Sequence, residues 1–185
     1  MIVYFETLGC SRNQVDSEIM LGKLAARGHR ITDDPALAEV IVVNTCGFIS
    51  TASDEAVEVI LEMAQLKQEG ACKRLIATGC LAQRYKDDPD LVNSLPEVDA
   101  FLGTAACDMI VDAVEGKNAS GDAQTLTLFP DPVQRGFQDI SEDRELTTGP
   151  YAYVKVSEGC NRKCTFCIIP TLRGTQRSRP VDDIC

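Results

Sequence analysis

Three cysteines lie within eight residues near the end of the sequence, in the stretch EGCNRKCTFCIIPTLRGTQRSRP. They are Cys160, Cys164 and Cys167, with the spacing CxxxCxxC. A structural zinc site usually takes four ligands, and the sequence offers neither a second cysteine pair nor a nearby histidine, since His29 is its only one. A cubane iron–sulfur cluster with three thiolate ligands keeps one iron open for a small molecule. The spacing therefore favours an iron–sulfur cluster over zinc.

Three further cysteines each follow an apolar run that is typical of a buried strand. Cys10 follows IVYFETLG, Cys46 follows VIVVNT and Cys80 follows LIATG. The carboxyl ends of parallel strands lie along one sheet edge, where such folds bind ligands. A helix is predicted after each cysteine, and the positive end of a helix favours the thiolate. We therefore expect a second three-cysteine site, the alternative being that each cysteine only fills space in the core.

The remaining composition indicates a soluble cytoplasmic protein with no membrane association. Nine cysteines in a chain without a basic leader are more typical of metal binding or thiol chemistry than of disulfides. The apolar runs are far shorter than the roughly 18 residues of a membrane span. Cys72, Cys107 and Cys185 match no ligand spacing, so we expect packing or surface thiols there.

The elements that must position these cysteines alternate between strand and helix. This alternation predicts an α/β fold with a five-stranded, largely parallel sheet flanked by helices over residues 1–116. The predicted strands are residues 2–6, 29–31, 40–45, 74–79 and 98–103. Helices are predicted after Cys10 as far as Gly28, over 53–68, after Cys80 and after residue 105.

The last third of the chain differs in composition. Residues 117–150 are rich in Gly, Pro, Asp, Ser and Thr and are predicted to be a linker. A strand is expected within 151–159 and a helix after Pro180. Residues 1–150 hold 12 Lys and Arg against 25 Asp and Glu, whereas residues 151–185 hold 6 against 3. The acidic first part argues against nonspecific nucleic-acid binding by that part.

The motifs around both cysteine sets resemble one family. CNRKCTFC, with Phe166 before its last cysteine, resembles the radical S-adenosylmethionine (SAM) signature. Together with LGCSRNQVDSE, VVNTCGFI and TGCLAQRY, it resembles the N-terminal half of a radical-SAM methylthiotransferase. The resemblance implies an N-terminal methylthiotransferase domain over 1–116, a linker over 117–150 and the truncated start of a radical-SAM (β/α) barrel over 151–185. Because most of the barrel is missing, this chain alone is expected to be inactive.

The resemblance also implies cofactors: two 4Fe-4S clusters and SAM. Cys10, Cys46 and Cys80 would hold the auxiliary cluster, which carries the sulfur for transfer. Cys160, Cys164 and Cys167 would hold the cluster that binds and cleaves SAM, with a flavodoxin or ferredoxin as electron donor. Phe166 would pack near the SAM adenine, unless it is a plain core aromatic.

The substrate implied by the resemblance depends on the subgroup. The sequences NTCGFI and GCSRNQVDSE resemble members that modify an aspartate β-carbon of a small-subunit ribosomal protein, whereas tRNA-modifying members typically have NTCSVRE. A tRNA adenosine methylthiotransferase, a non-catalytic iron–sulfur redox module and a zinc-bound interaction domain are the alternatives.

Other polar residues of these motifs have two interpretations each. Asn13, Asp16 and Glu18 belong to the family-like stretch, but they also suit helix capping and a first helical turn. The arginines of the tail line either a substrate or cofactor path or a solvated basic face. These are Arg173, Arg177 and Arg179.

Overall fold

The fold is built on a parallel β-sheet. The computed structural model describes residues 1–117, 125–135, 144–147 and 149–184. The strands of this sheet are β1 Ile2–Thr7, β2 Arg30–Thr32, β3 Val40–Thr45, β4 Arg74–Gly79, β5 Ala100–Leu102 and β6 Leu126–Leu128. They pair in the order β2-β1-β3-β4-β5-β6, and every pairing is parallel.

Helices cover both faces of the sheet. They are α1 Ser11–Ala26, α2 Ser50–Glu69, α3 Cys80–Arg84, α4 Asp90–Ser94 and α5 Ile110–Glu115. One hydrophobic cluster contains Leu24 of α1 and Ile110 of α5, and the other contains Ile60 of α2 and Leu81 of α3. β3 is buried along its whole length, which explains why its sequence is apolar without alternation. No helix among the described residues is long and apolar enough to cross a membrane.

The predicted α/β class with a parallel, helix-flanked sheet is confirmed, but among the described residues the sheet has six strands and not five. The sixth strand, Leu126–Leu128, lies in the stretch predicted to be a linker. The Leu126 N–H donates to the Asp99 carbonyl, and the Gly103 N–H donates to the Leu128 carbonyl, both at 2.9 Å. The three residues of this strand are surrounded by loop-forming residues, so the sequence shows no strand pattern there. Residues 118–124, 136–143 and 148 of the predicted linker lie outside the described residues.

The residues after 149 form short elements beside the sheet. β7 Ser157–Glu158 pairs antiparallel with β8 Arg177–Ser178, and α6 Ile169–Arg173 lies between them in the chain. The strand predicted within 151–159 is thus only two residues long, and the helix predicted after Pro180 is a 3-10 turn, Val181–Asp183. The Thr104 hydroxyl donates to the Leu172 carbonyl at 2.5 Å, which attaches α6 to the loop after β5.

Candidate functional site

The first cysteine set lies at the carboxyl ends of three adjacent strands. Cys10 follows β1, Cys46 follows β3 and Cys80 follows β4, and these strands are neighbours in the sheet. Cys10 is exposed at the N-cap of α1, Cys46 is half-buried, and Cys80 is buried as the first residue of α3. The alternation of strand and helix thus brings residues 10, 46 and 80 to one sheet edge, as the sequence predicts.

Glycines allow the three turns at this edge to approach closely. Gly9 has φ of +95°, and a Cβ placed there would lie 3.2 Å from Cys46 Sγ. A Cβ on Gly47 would lie 2.8 Å from the Leu81 nitrogen, and one on Gly79 would lie 2.7 Å from the Thr45 carbonyl oxygen. The turn after each strand therefore packs against the turn of a neighbouring strand. The missing side chain of Gly9 leaves space beside the Cys46 sulfur.

Asn13 connects these turns from inside α1. Its side-chain Nδ2 donates to the Leu8 carbonyl at 3.0 Å and to the Thr45 carbonyl at 2.9 Å, while Oδ1 lies 3.7 Å from Cys80 Sγ. The helix-capping interpretation of Asn13 is therefore wrong, because the side chain is fully buried and donates to carbonyls outside the helix. Asn44 fixes α1 in turn, since its Nδ2 donates to the Asn13 carbonyl at 2.9 Å.

A group of four charged side chains, two of them buried and two partly buried, lies next to Cys80, and we call it the ion network. It consists of Asp16, Lys155, Glu158 and Arg173. Arg173 Nη1 donates to Asp16 Oδ2 at 2.6 Å, and Lys155 pairs with Asp16 and, at 2.8 Å, with Glu158. Burial alone would raise the pKa of Asp16, but Lys155 and Arg173 outweigh it and hold that pKa below its usual value. The network therefore joins α1 to the segment that carries the second cysteine set.

Burial raises the pKa of the Cys80 thiol, and the neighbouring Arg173 opposes that rise. The Arg173 Nη2 lies 3.7 Å from Cys80 Sγ and is itself within the protein, with an exposed fraction of 5%. A solvated basic face is therefore the wrong interpretation for Arg173.

Of the other tail arginines, Arg177 donates to the Pro132 carbonyl, and Arg179 pairs with Asp183 at 2.5 Å.

Glu18 connects α1 to a second distant stretch. Its Oε1 accepts hydrogen bonds from the N–H and the hydroxyl of Thr147, both at 3.0 Å. Its other oxygen, Oε2, lies 3.1 Å from Arg144 Nε. Asp16 and Glu18 thus contact residues far along the chain, which corrects their interpretation as helix-capping and first-turn residues.

The second cysteine set lies in the loop between β7 and α6. The Cys160 N–H donates to the Gly174 carbonyl at 3.1 Å, and the Cys167 N–H donates to the Cys164 carbonyl at 3.1 Å. Cys164 is exposed, while Cys160 and Cys167 are partly exposed. Phe166 has an exposed fraction of 88%, so the core-aromatic interpretation is wrong, and its contact with the SAM adenine remains a prediction.

Among the described residues, no three or more His, Cys, Asp and Glu side chains are arranged as a metal-ion site. The donor set nevertheless fits an iron–sulfur cluster, because soft thiolates are its protein ligands. At the sheet edge, Cys10 and Cys46 are accessible from solvent, and the absent Gly9 side chain leaves room beside a sulfur.

Cys72 and Cys107 are buried in the core, as expected of packing thiols, and Cys185 lies outside the described residues.

Sequence reasoning misses Lys155 and Glu158 as part of this site. They lie in a stretch whose sequence predicts an ordinary strand. Asp16, the partner of Lys155, is 139 residues away from it in the chain, so no local pattern reveals the contact. The opposite charges of Asp16 in LGCSRNQVDSE and of Lys155 in YVKVSEG are the signal that the sequence offers.

The fold and site define a class of protein: a parallel α/β domain with three cysteines at its carboxyl edge, followed by a CxxxCxxC segment. The model of "Uncharacterized protein family UPF0004" matches residues 2–103, and the chain belongs to that family. It is 51% identical over 185 residues to a protein of Anaeromyxobacter sp. (strain K), covering 98% of this chain and 37% of that protein.

Further relatives are similar over the same range. The identity is 50% over 184 residues to a protein of Desulfosudis oleivorans, with 100% of this chain and 41% of the relative covered. It is 50% over 183 residues to a protein of Myxococcus xanthus, with 98% and 37% covered. All three relatives are named ribosomal protein uS12 methylthiotransferase RimO, which confirms the resemblance to methylthiotransferases. The chain spans about two fifths of the length of these relatives.

Proposed function

We propose that the full-length protein containing this chain transfers a methylthio group to the β-carbon of an aspartate in ribosomal protein uS12. The observation that carries this proposal is the identity of about 50% to uS12 methylthiotransferases across both cysteine sets. The division into residues 1–116, 117–150 and 151–185 belongs to the same proposal, with residues 1–116 as most of the methylthiotransferase domain and with the sixth strand of its sheet, Leu126–Leu128, contributed by the stretch 117–150. Modification of a ribosomal protein would take place in the cytoplasm.

Two 4Fe-4S clusters and SAM would supply the electron-transfer, radical and sulfur chemistry of the reaction. Cys10, Cys46 and Cys80 would hold the auxiliary cluster at the sheet edge. Cys160, Cys164 and Cys167 would hold the SAM-binding cluster. The protein's own contribution is to position these groups and to exclude side reactions. A reduced flavodoxin or ferredoxin would serve as the electron donor.

Phe166 would complete the SAM side of the site. Its ring is largely exposed one residue before Cys167, so it is available to pack against the adenine. The polar groups around the sheet-edge cysteines would keep that site rigid, because Asn13 holds the turns after β1 and β3 together.

The loop after Cys46 supports a peptide acceptor over a nucleotide. Phe48 and Ile49 have exposed fractions of 42% and 54%, so they form an apolar surface beside the site and are not core anchors. Arg84 Nη1 donates to the Gly47 carbonyl at 2.8 Å and fixes this loop. The net negative charge of residues 1–150 would also favour binding of a basic ribosomal protein.

The experiment is to incubate the anaerobically reconstituted full-length protein with SAM and a reductant in two separate reactions. One contains a uS12 peptide, and the other contains tRNA with the modified adenosine that the alternative subgroup would accept. We expect mass spectrometry to find a methylthio group in place of one hydrogen on the aspartate of the peptide and no change in the tRNA. A methylthio group on tRNA and none on the peptide would assign the protein to the tRNA-modifying subgroup. No transfer to either substrate from protein with full iron content would favour a non-catalytic redox module.

A further inference from the structure

We propose that Arg173 is a positioning residue that joins the two cysteine-bearing parts of the chain and sets the charge beside Cys80. This inference rests on the proposed function, because it takes Cys80 to be a cluster ligand. Arg173 ends α6, just after the second cysteine set, yet its guanidinium lies against α1 and the turn after β4.

The guanidinium of Arg173 contacts different partners through its two terminal nitrogens. Its Nη1 donates to Asp16 Oδ2 at 2.6 Å. Its Nη2 donates to Asn13 Oδ1 at 2.7 Å and lies 3.7 Å from Cys80 Sγ. A planar group with several fixed donors can hold these partners at once, whereas a lysine ammonium is a single point charge.

The ion network makes the burial of this arginine tolerable. Burying a charge is costly unless it is paired and hydrogen-bonded. Arg173 and Lys155 are matched by the carboxylates of Asp16 and Glu158, so two cations face two anions. Asp16 belongs to α1, whereas the other three belong to the segment after residue 149. Removing one member would leave a buried charge unbalanced at the junction of the two parts.

The backbone transmits the position of Arg173 to the second cysteine set. The carbonyl of the next residue, Gly174, accepts a hydrogen bond from the Cys160 N–H at 3.1 Å. Gly174 has φ of +75° and follows directly after α6. One side of the arginine thus contacts Cys80, and its neighbour in the chain holds Cys160. The relative placement of the two cysteine sets depends on this connection.

The charge of Arg173 should shift the reduction potential of a cluster at the sheet edge in a predictable direction. Hydrogen bonds to the cysteine sulfurs and nearby charge tune the reduction potential of iron–sulfur clusters. A positive charge beside Cys80 favours the reduced, more negative cluster. Loss of the Arg173 charge should therefore lower the potential, and loss of the Asp16 charge should raise it.

The test uses the full-length protein with Cys160, Cys164 and Cys167 changed to Ala, so that Cys10, Cys46 and Cys80 hold the remaining iron. Reduction potentials are measured by EPR-monitored redox titration, with iron content determined on each sample. We expect Arg173→Gln to shift the potential down and Asp16→Asn to shift it up. The matched control Arg179→Gln removes an arginine that pairs with Asp183 in its own segment, and it should leave the potential unchanged.

Hydrogen exchange tests the positioning role separately, in protein that retains all six cysteines. Both Arg173→Gln and Asp16→Asn should speed exchange in the peptide containing the Cys160 amide, and Arg179→Gln should not. A general loss of structure cannot mimic opposite potential shifts combined with the same exchange response.

The outcomes separate this inference from the proposed function. If the unsubstituted Cys10, Cys46 and Cys80 bind no iron, the proposed function and the inference both fail. If they bind iron but both charge variants leave the potential unchanged or shift it in one direction, the inference alone is overturned. Should Arg173→Gln lose its iron, Asp16→Asn decides the question, and the absence of an upward shift overturns the inference.

Discussion

At the residue scale, burial distinguishes Cys72 and Cys107, which lie deep in the core, from the exposed Cys10 and Cys164. Cys72 and Cys107 have exposed fractions of 5% and 2%, and burial raises the pKa of both thiols. A raised pKa means a smaller thiolate fraction near neutral pH, and the thiolate is the reactive species. These two residues should therefore be inert, whereas Cys10 and Cys164 are exposed.

We predict that Cys72 and Cys107 in the native, iron-free full-length protein react with iodoacetamide at pH 8 at least about tenfold more slowly than Cys164. Burial keeps the reagent away from both sulfurs, and the raised pKa of each thiol lowers its thiolate fraction. Their rates should increase as the pH rises. The measurement is mass spectrometry of peptides after brief labelling, and the control is the same protein in urea, where the three should react alike. Rapid labelling of native Cys107 would contradict its assignment as a packing thiol.

The same scale shows what sequence patterns can predict. Cys10, Cys46 and Cys80 could be grouped because each follows an apolar strand, and strand ends of a parallel sheet share an edge. Arg173 could not be assigned, because its partners Asp16 and Cys80 lie 157 and 93 residues away in the chain. Local spacing contains no information about such a contact.

At the element scale, the turns after β1, β3 and β4 depend on glycine. Gly79 has φ of +97° and ψ of −148°, a region that is essentially restricted to glycine. A Cβ there would also approach the Thr45 carbonyl oxygen at 2.7 Å. Any other residue at position 79 would therefore strain the backbone and also clash with the neighbouring turn.

We predict that Gly79→Ala lowers the free energy of unfolding by roughly 2–4 kcal/mol, from unfavourable backbone geometry and overpacking together. Gly28→Ala is the matched control, because Gly28 has φ of +77° and a Cβ placed there would have nothing within 4 Å. Its cost should be only about 1 kcal/mol, from the backbone alone. Urea unfolding followed by circular dichroism measures both, and equal costs would show that the contact with Thr45 is unimportant.

Element boundaries and short strands are the least predictable features of the fold. The sequence places the strands with long apolar runs or a clear βα context almost correctly, and α2 begins at Ser50, three residues before its predicted start. β6 escapes prediction because its three residues are surrounded by loop-forming residues and are defined by pairing with β5. That pairing is a property of the assembled sheet.

At the scale of the whole molecule, the chain consists of an α/β domain and a following segment, both bearing cysteines. The ion network and the hydrogen bond from Thr104 to Leu172 attach the segment to the domain. The net negative charge of residues 1–150 and the net positive charge of residues 151–185 favour such an attachment. The central claim about this arrangement is that each cysteine set holds its own cluster.

Iron and sulfide analysis of the anaerobically reconstituted full-length protein tests that claim most directly. We predict about eight irons and eight sulfides per chain, as two cubanes require. Changing Cys10, Cys46 and Cys80 to Ala should remove half of the iron and leave SAM cleavage measurable, whereas changing Cys160, Cys164 and Cys167 to Ala should remove the other half and abolish cleavage. Zinc without labile sulfide, or loss of all iron from either triple variant, would contradict two separate clusters.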